Sequence, residues 1–428
     1  MAQGPSLKWR IAQARDNIVY GIKLVVKTIS PLAGSLILAV AGKPVNKEDH
    51  PKRVLVLFAG GAGDVVMRSV VCGYLHHYFQ NRDIYYLMPH DIALPYAKKT
   101  IRFDYKKSKV DPRYYARLVN ELRAIGFGEA IVLLPTWEGF LVSLGRDVKP
   151  DRLFCYTQTI PKGLSGILSS MLRWLRPLGK RSVDVPLLSG LDKDWSKPYW
   201  PSEVFLMARF ISNVINIMQP DLTRNEYGLL PFPGVRTEVL VDPNEERDYL
   251  AEMGARYGVD MGNCVLIGLG SSTSTRNWPP ERFAEVAKYL AEKGMRIGIL
   301  DHPKDAVLVE RFAAAYGGDF LNLGAHANLR QVCILIKHAA LTLCNDTSFV
   351  HLAVALAAPC VCISRNHNVG AGSCYGYEDI DQWVFGDAIE TIEADAVKKT
   401  VQHIISHLAK NGSVSKREFT LSYFEQYT

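Results

Sequence analysis

The chain has 428 residues, 48% of them hydrophobic and 22% charged, which excludes a disordered or fibrous protein. No apolar run reaches the roughly 20 residues of a membrane-spanning helix, which excludes a polytopic membrane protein. The net charge of +7 is unevenly spread, with 32 Lys and Arg against 19 Asp and Glu in residues 1–235, and 18 against 24 in residues 236–428.

A basic first half points to an anionic partner, either a membrane surface or a phosphorylated glycolipid. Nucleic acid is disfavoured, because the basic residues form no recognisable motif with interleaved aromatics. The eight Cys form no C-x-x-C pair, which argues against a zinc ribbon or a disulfide scaffold and fits a reducing compartment. At about 150 residues per domain the chain holds two or three domains.

Residues 7–29 read as a helix, with Ile11, Ile18, Ile22, Val25 and Ile29 on one stripe and Lys8, Arg15, Lys23 and Lys27 flanking it. A short apolar stretch, Leu32 to Gly42, follows. The pair reads either as an interfacial membrane attachment or as a helix packed on the body. We take 1–50 as an extension that associates with a membrane.

A regular α/β pattern begins near Lys52. Arg53–Phe58 is a buried strand, followed by a Gly-rich loop ending at Asp64 and a helix to about Phe79. Further strands are expected at Ile84–Met88, Ile101–Tyr105, Ala130–Leu134 and Leu153–Tyr156. Residues 160–182 mix apolar and basic residues around Trp174, either as an interfacial helix or as one covering the sheet edge. A Pro- and Gly-rich stretch, Gly228 to Pro243, reads as a linker. The rhythm then restarts with strands at Cys264–Leu269, Arg296–Leu300, Ala340–Leu343 and Cys360–Ile363. Helices are expected over Trp278–Lys293, Ala306–Tyr316, Asn328–His338 and Ser348–Ala357. Strands alternating with helices imply parallel sheets. We therefore expect two Rossmann-like domains, 51–235 and 236–428.

Three loops at the carboxyl ends of strands carry chemistry-bearing residues. Gly60–Asp64 is neither a P-loop nor G-x-G-x-x-G, so ATP hydrolysis and dinucleotide binding lose support. Asp64 is either a helix cap or a reactive carboxylate. The run Ser271 to Pro279 offers hydroxyls, backbone N–H groups and Arg276, a plausible phosphate cradle. In Asn345 to His351, the side chains of Thr347, Ser348 and His351 share one helix face. Phe349, Leu352, Ala353 and Leu356 take the opposite, buried face. A polar stripe at a helix N-terminus suits a diphosphate. Together the loops imply a cleft between the halves, with phosphates held by the second and a carboxylate offered by the first.

These residues resemble glycosyltransferase family nine, the heptosyltransferase-like enzymes of lipopolysaccharide assembly. The resemblance covers about residues 52–145 and 262–363. It rests on Gly63-Asp64 after a strand, on Arg276-x-Trp278-Pro279-x-Glu281-Arg282-Phe283, and on Asn345-Asp346-Thr347-x-x-x-His351-Leu352-Ala353. It implies an α/β GT-B fold with two Rossmann-like domains facing a central cleft. It also implies metal-independent, inverting transfer from a nucleotide-diphosphate sugar, the donor being a substrate and no cofactor being needed. The acceptor would be lipid-linked or another cell-envelope saccharide, at the cytoplasmic face of the inner membrane.

By the same resemblance Asp64 is the general base and Arg276 steadies the leaving diphosphate. Gly63, Thr273, Ser274, Asp346, Thr347, Ser348 and His351 complete the donor site, and Asp305 meets the nucleoside. A helix N-terminus favours a carboxylate as the anion, so Glu138, after the fourth strand, is kept as a second candidate base. Ser348 stands where the family has Gly, and Ser364-Arg365-Asn366-His367 replaces a Gly-Pro-Thr segment. That loop is expected to help select the donor. Two alternatives stay open: a sugar-nucleotide epimerase or hydrolase on the same fold, and a degenerate member that only binds nucleotide or membrane.

Overall fold

The computed structural model describes residues 33–38, 42, 50–58, 60–133, 139–155, 182–185, 203–224, 229–231, 236–300, 302–324, 327–365, 377 and 381–415. The helix expected over 7–29, the basic stretch 160–181, Glu138 and Asn366-His367 lie outside them.

The strands form two six-stranded sheets. The first contains β1 (Arg53–Phe58), β2 (Asp83–Met88), β3 (Lys99–Arg102), β4 (Glu129–Leu133), β5 (Arg152–Cys155) and β6 (Ser182–Asp184). The second contains β7 (Cys264–Gly268), β8 (Arg296–Ile299), β9 (Leu321–Asn322), β10 (Leu341–Asn345), β11 (Cys360–Arg365) and β12 (Trp383–Gly386). Their orders are β3-β2-β1-β4-β5-β6 and β12-β11-β10-β7-β8-β9, with every pair parallel. Read from β9, the second order repeats the first. Both sheets are doubly wound, and in each the strand order reverses between the first and fourth strands.

The central strands β4, β7 and β10 are buried at every residue. Covered on both faces, such strands read as apolar runs, which is why Arg53–Phe58 and Cys264–Gly268 stand out in the sequence.

By packing, the chain falls into two compact units. One comprises Met1–Ala59, Phe79–Pro89 and Ala97–Ser189; the other comprises Gly60–Tyr78, His90–Tyr96 and Gly190–Thr428. The sheets follow the chain-order halves 51–235 and 236–428, whereas the packing places residues 60–78, 90–96 and 190–235 in the second unit.

In the first unit, residues 33–38 form a short helix docked on the body. Ser35 Oγ donates to Asp147 at 2.5 Å, Tyr115 Oη donates to the same carboxylate at 2.8 Å, and Leu38 enters the core. Leu36 and Ile37 stay exposed. Among the described residues no helix is long and apolar enough to cross a membrane.

Several boundaries differ from expectation for local reasons. The helix after Asp64 is two helices, Ala62–Arg68 and Val70–Tyr78. Between them, the Ser69 hydroxyl donates to the Val66 carbonyl at 2.6 Å and accepts the Glu238 N–H at 2.8 Å. Such side-chain bonds compete with the helical ladder. Tyr105 starts a helix, where a strand was expected, because Asp104 caps it by accepting the Lys107 N–H. The stretch to Pro243 ends in a helix, Pro243–Tyr257, capped by Asp242. The helix Glu203–Met218 was not anticipated.

The helix Ser348–Leu356 ends on Ala357 at φ 55°, in the left-handed region. A side chain there costs about 1–2 kcal/mol, partly offset by the flexibility glycine would bring to the unfolded chain. Ala357→Gly is therefore expected to raise stability by about 0.5–1 kcal/mol, seen as a higher urea midpoint at unchanged slope.

Candidate active site

The second unit holds the Gly60–Asp64 segment together with the loops after β7 and β10. Gly60 sits at φ 94°, and a Cβ there would fall 2.2 Å from Asp64 Oδ2, so the turn requires glycine. Its carbonyl lies 2.9 Å from His90 Nε2. Nothing in the sequence signals that contact. The Asp64 carboxylate, half-buried, accepts the Gly61 N–H through Oδ2 at 2.6 Å. Oδ1 makes no hydrogen bond among the described residues. The side chain thus serves as a cap, one of the two expected readings, and keeps one oxygen for other chemistry.

The Ala62–Arg68 and Ser348–Leu356 helices pack against each other at Gly63. A Cβ on Gly63 would stand 2.6 Å from His351 Cδ2 and 3.3 Å from Ser348 Cα. Gly63 makes a close helix–helix approach and His351 is buried against it, while Thr347 and Ser348 of the same polar stripe are half-buried. Burial holds the His351 imidazole below its usual titration range, against the pull of the Asp346 and Asp64 carboxylates. Asp64 follows Gly63 in the chain and Asp346 lies two residues before Ser348, so the packing at Gly63 brings the two segments together.

Gly63→Ala is expected to cost about 1–3 kcal/mol through overpacking. Gly61→Ala is the control: its Cβ would meet only Asp64 Oδ2, at 3.7 Å. Thermal unfolding of the pair checks this.

Thr347 caps the Ser348–Leu356 helix, its Oγ1 accepting the Phe349 N–H at 3.3 Å. Asp346, Thr347 and Ser348 are half-buried at the end of β10. The loop after β7 is folded on itself: Ser271 Oγ donates to the Thr273 carbonyl at 2.5 Å, and the Arg276 N–H reaches the same carbonyl at 3.0 Å. Thr273 and Ser274 are exposed and Arg276 half-buried. The Arg276 guanidinium has no carboxylate partner among the described residues. Asp305 packs over Gly270, where a Cβ would lie 2.6 Å from its carboxyl carbon. Gly268 likewise makes room for Phe349, 2.5 Å from its would-be Cβ. Sequence reading missed both glycines, although a Gly ending a strand before a polar loop signals close approach.

The helix expected from Trp278 starts at Pro280 instead. Trp278 precedes that helix as a fully buried peg. Its Nε1–H donates to the Ile392 carbonyl at 2.9 Å, and its ring meets Phe283 edge-on at 4.8 Å. Arg282 donates to the Ile392 carbonyl at 2.9 Å and pairs with Glu393, while Glu281 forms a two-point ion pair with Arg311 at 2.9 Å. Trp278, Glu281 and Arg282 thus build the scaffold, and of the two arginines in this run it is Arg276 that has no carboxylate partner among the described residues.

The sequence model of glycosyltransferase family 9 (heptosyltransferase) matches residues 230–386. Lipooligosaccharide heptosyltransferase 2 of Haemophilus ducreyi is 30% identical over 140 residues, 30% of this chain and 38% of the relative. The alignable part therefore spans about two fifths of that curated relative. The solved glycosyl transferase family 9 protein of Veillonella parvula superposes with a TM-score of 0.64 at 15% identity, covering 83% of this chain and 97% of that one. The ADP-heptose LPS heptosyltransferase II of E. coli gives 0.60 at 16% identity, covering 83% and 99%. The two Rossmann-like sheets are those of the GT-B heptosyltransferases. Residues 230–386 thus carry the sequence pattern of glycosyltransferase family 9, and the described fold is similar to that of its solved members.

Proposed function

We propose that the chain transfers a sugar of the heptose class from a nucleotide-diphosphate donor to a lipopolysaccharide or other cell-envelope glycan, with inversion and without a metal ion. The observation that carries this reading is a juxtaposition. Half-buried Arg276, with no carboxylate partner among the described residues, lies on a hydroxyl-rich loop at the switch point of the second sheet, and Gly63, next to Asp64 in the chain, packs on the first turn of the adjacent Ser348–Leu356 helix. Switch points are where doubly wound sheets bind ligands. The name of the E. coli relative, an ADP-heptose transferase, supplies the donor class.

In this reading Arg276, with the hydroxyls of Thr273 and Ser274, holds the diphosphate and takes up its growing charge. The first turn of the Ser348–Leu356 helix, with Asp346, Thr347 and Ser348, completes the donor site. Asp305 meets the nucleoside. An acceptor oxygen attacks the anomeric carbon as the bond to the diphosphate breaks, and Asp64 takes the hydroxyl proton. Glu138 is the second candidate base. His351, buried against Gly63, keeps the two helices and their carboxylates in register. The basic first half faces the anionic acceptor or the inner-membrane surface, with residues 33–38 docking the extension on the body.

A thermal-shift panel of ADP-, UDP-, GDP- and CDP-sugars tests the donor class. The ADP-sugar is expected to raise Tm by linkage, and turnover with an acceptor is expected to survive EDTA. A stabilising donor of another nucleotide reassigns the donor, and no stabilisation by any of them removes the reading.

A further inference from the structure

Asn345 closes β10 and is completely buried. Its Oδ1 accepts the Trp278 N–H at 2.9 Å, and its Nδ2 donates to the Leu269 carbonyl at 2.7 Å. Those two backbone groups are the ends of the loop that carries Ser271, Thr273, Ser274 and Arg276. One side-chain amide therefore grips both feet of the loop from the neighbouring strand. Trp278 is pinned from a second direction by the Ile392 carbonyl, so the C-terminal foot cannot follow the loop if it loosens. Inside the loop, Ser271 Oγ bonds to the Thr273 carbonyl and N–H, and the Arg276 and Asn277 N–H groups donate to the Thr273 and Ser274 carbonyls.

We infer that Asn345 is a positioning residue: a two-pronged clamp that fixes the span of the 269–278 loop and thereby the place of Arg276. The inference rests on the donor-site reading given above. The chemistry demands an amide. Only Asn and Gln present an acceptor and a donor side by side at this reach, and Gln is a methylene too long for a buried slot. Aspartate keeps the bond to Trp278 but turns an oxygen toward the Leu269 carbonyl, where two acceptors repel. The clamp also links the loop to the Asp346–Thr347 turn, which follows Asn345 directly, so both parts of the donor site are set by one strand end.

The test compares the full chain with Asn345→Asp and, should that variant fold poorly, Asn345→Ser, which shortens the reach without adding charge. Hydrogen exchange of residues 270–277 is read without ligand, and ADP affinity is read by calorimetry. Loss of one buried hydrogen bond corresponds to roughly a tenfold effect. Loop exchange is expected to speed up by about that factor while β7 and the Pro280–Ala291 helix stay protected, with ADP binding about tenfold weaker. In an Arg276→Ala background the Asn345 change is expected to add no further loss of ADP affinity, because both act through the same cation. Unchanged loop exchange overturns the clamp. Faster exchange with ADP affinity intact, or full additivity with Arg276→Ala, overturns its link to the donor. A wild-type chain that binds no ADP overturns the donor reading instead, and the exchange result alone then decides the clamp.

Discussion

Asp64→Asn is expected to lower kcat by about 10²–10⁴, the usual contribution of a positioned general base, while donor affinity and Tm stay near wild type. The substitution separates the observed cap from the proposed role as base. Its Oδ2 caps the Ala62–Arg68 helix by accepting the Gly61 N–H. An amide oxygen still does that, yet it cannot carry away a proton. Asp64→Ala removes both functions and should add a stability loss of about 0.5–2 kcal/mol, the range for a lost cap. Steady-state kinetics and thermal unfolding on the two variants resolve the roles. If Asp64→Asn keeps most of its turnover and Glu138→Gln loses it, the base is Glu138.

Trp278→Ala is expected to destabilise the second unit by about 3–5 kcal/mol, the cost of truncating a buried aromatic to a cavity. That is a large share of a total stability of about 5–15 kcal/mol. The ring is fully buried against Phe283 and its Nε1–H is spent on the Ile392 carbonyl. Trp278→Phe keeps most of the volume and loses that bond, so its expected cost is smaller, about 1–3 kcal/mol for one lost hydrogen bond and a partial cavity. Arg282 still donates to Ile392, which softens the loss. Chemical denaturation of the three proteins checks the order wild type, Phe, Ala. Because Trp278 anchors the loop carrying Arg276, both variants should also weaken donor binding more than catalysis at saturation.

The two sheets were legible in the sequence because central parallel strands are continuous apolar runs bounded by polar loops. The Ala306–Tyr316 helix matches its expected span, since its stripe is regular and Gly317 stops it at φ 68°. The short edge strands β6, β9 and β12 were missed, being two to four residues long with little pattern to read. The helix Ala394–Asn411 was also missed.

The candidate site was legible in its residue types and less so in its geometry. Local pattern put Trp278 in the first turn of a helix. What fixes it is a set of partners 67 and 114 residues away, which no local window contains. His351 was read as part of a polar stripe with Thr347 and Ser348; helical spacing alone cannot show that it packs against Gly63. Asn345 was visible only as one letter of a motif, and its value lies in bridging two loop ends that meet in three dimensions alone.

The central claim is that the loops after β7 and β10 hold the diphosphate of a nucleotide sugar through Arg276. Calorimetric titration of ADP-heptose into the wild-type chain and into Arg276→Ala tests it most directly. We expect one site per chain in the wild type and binding weakened at least about tenfold in the variant, the loss of a charge-assisted contact. Equal affinity in the two proteins, or no binding to the wild type, would contradict it.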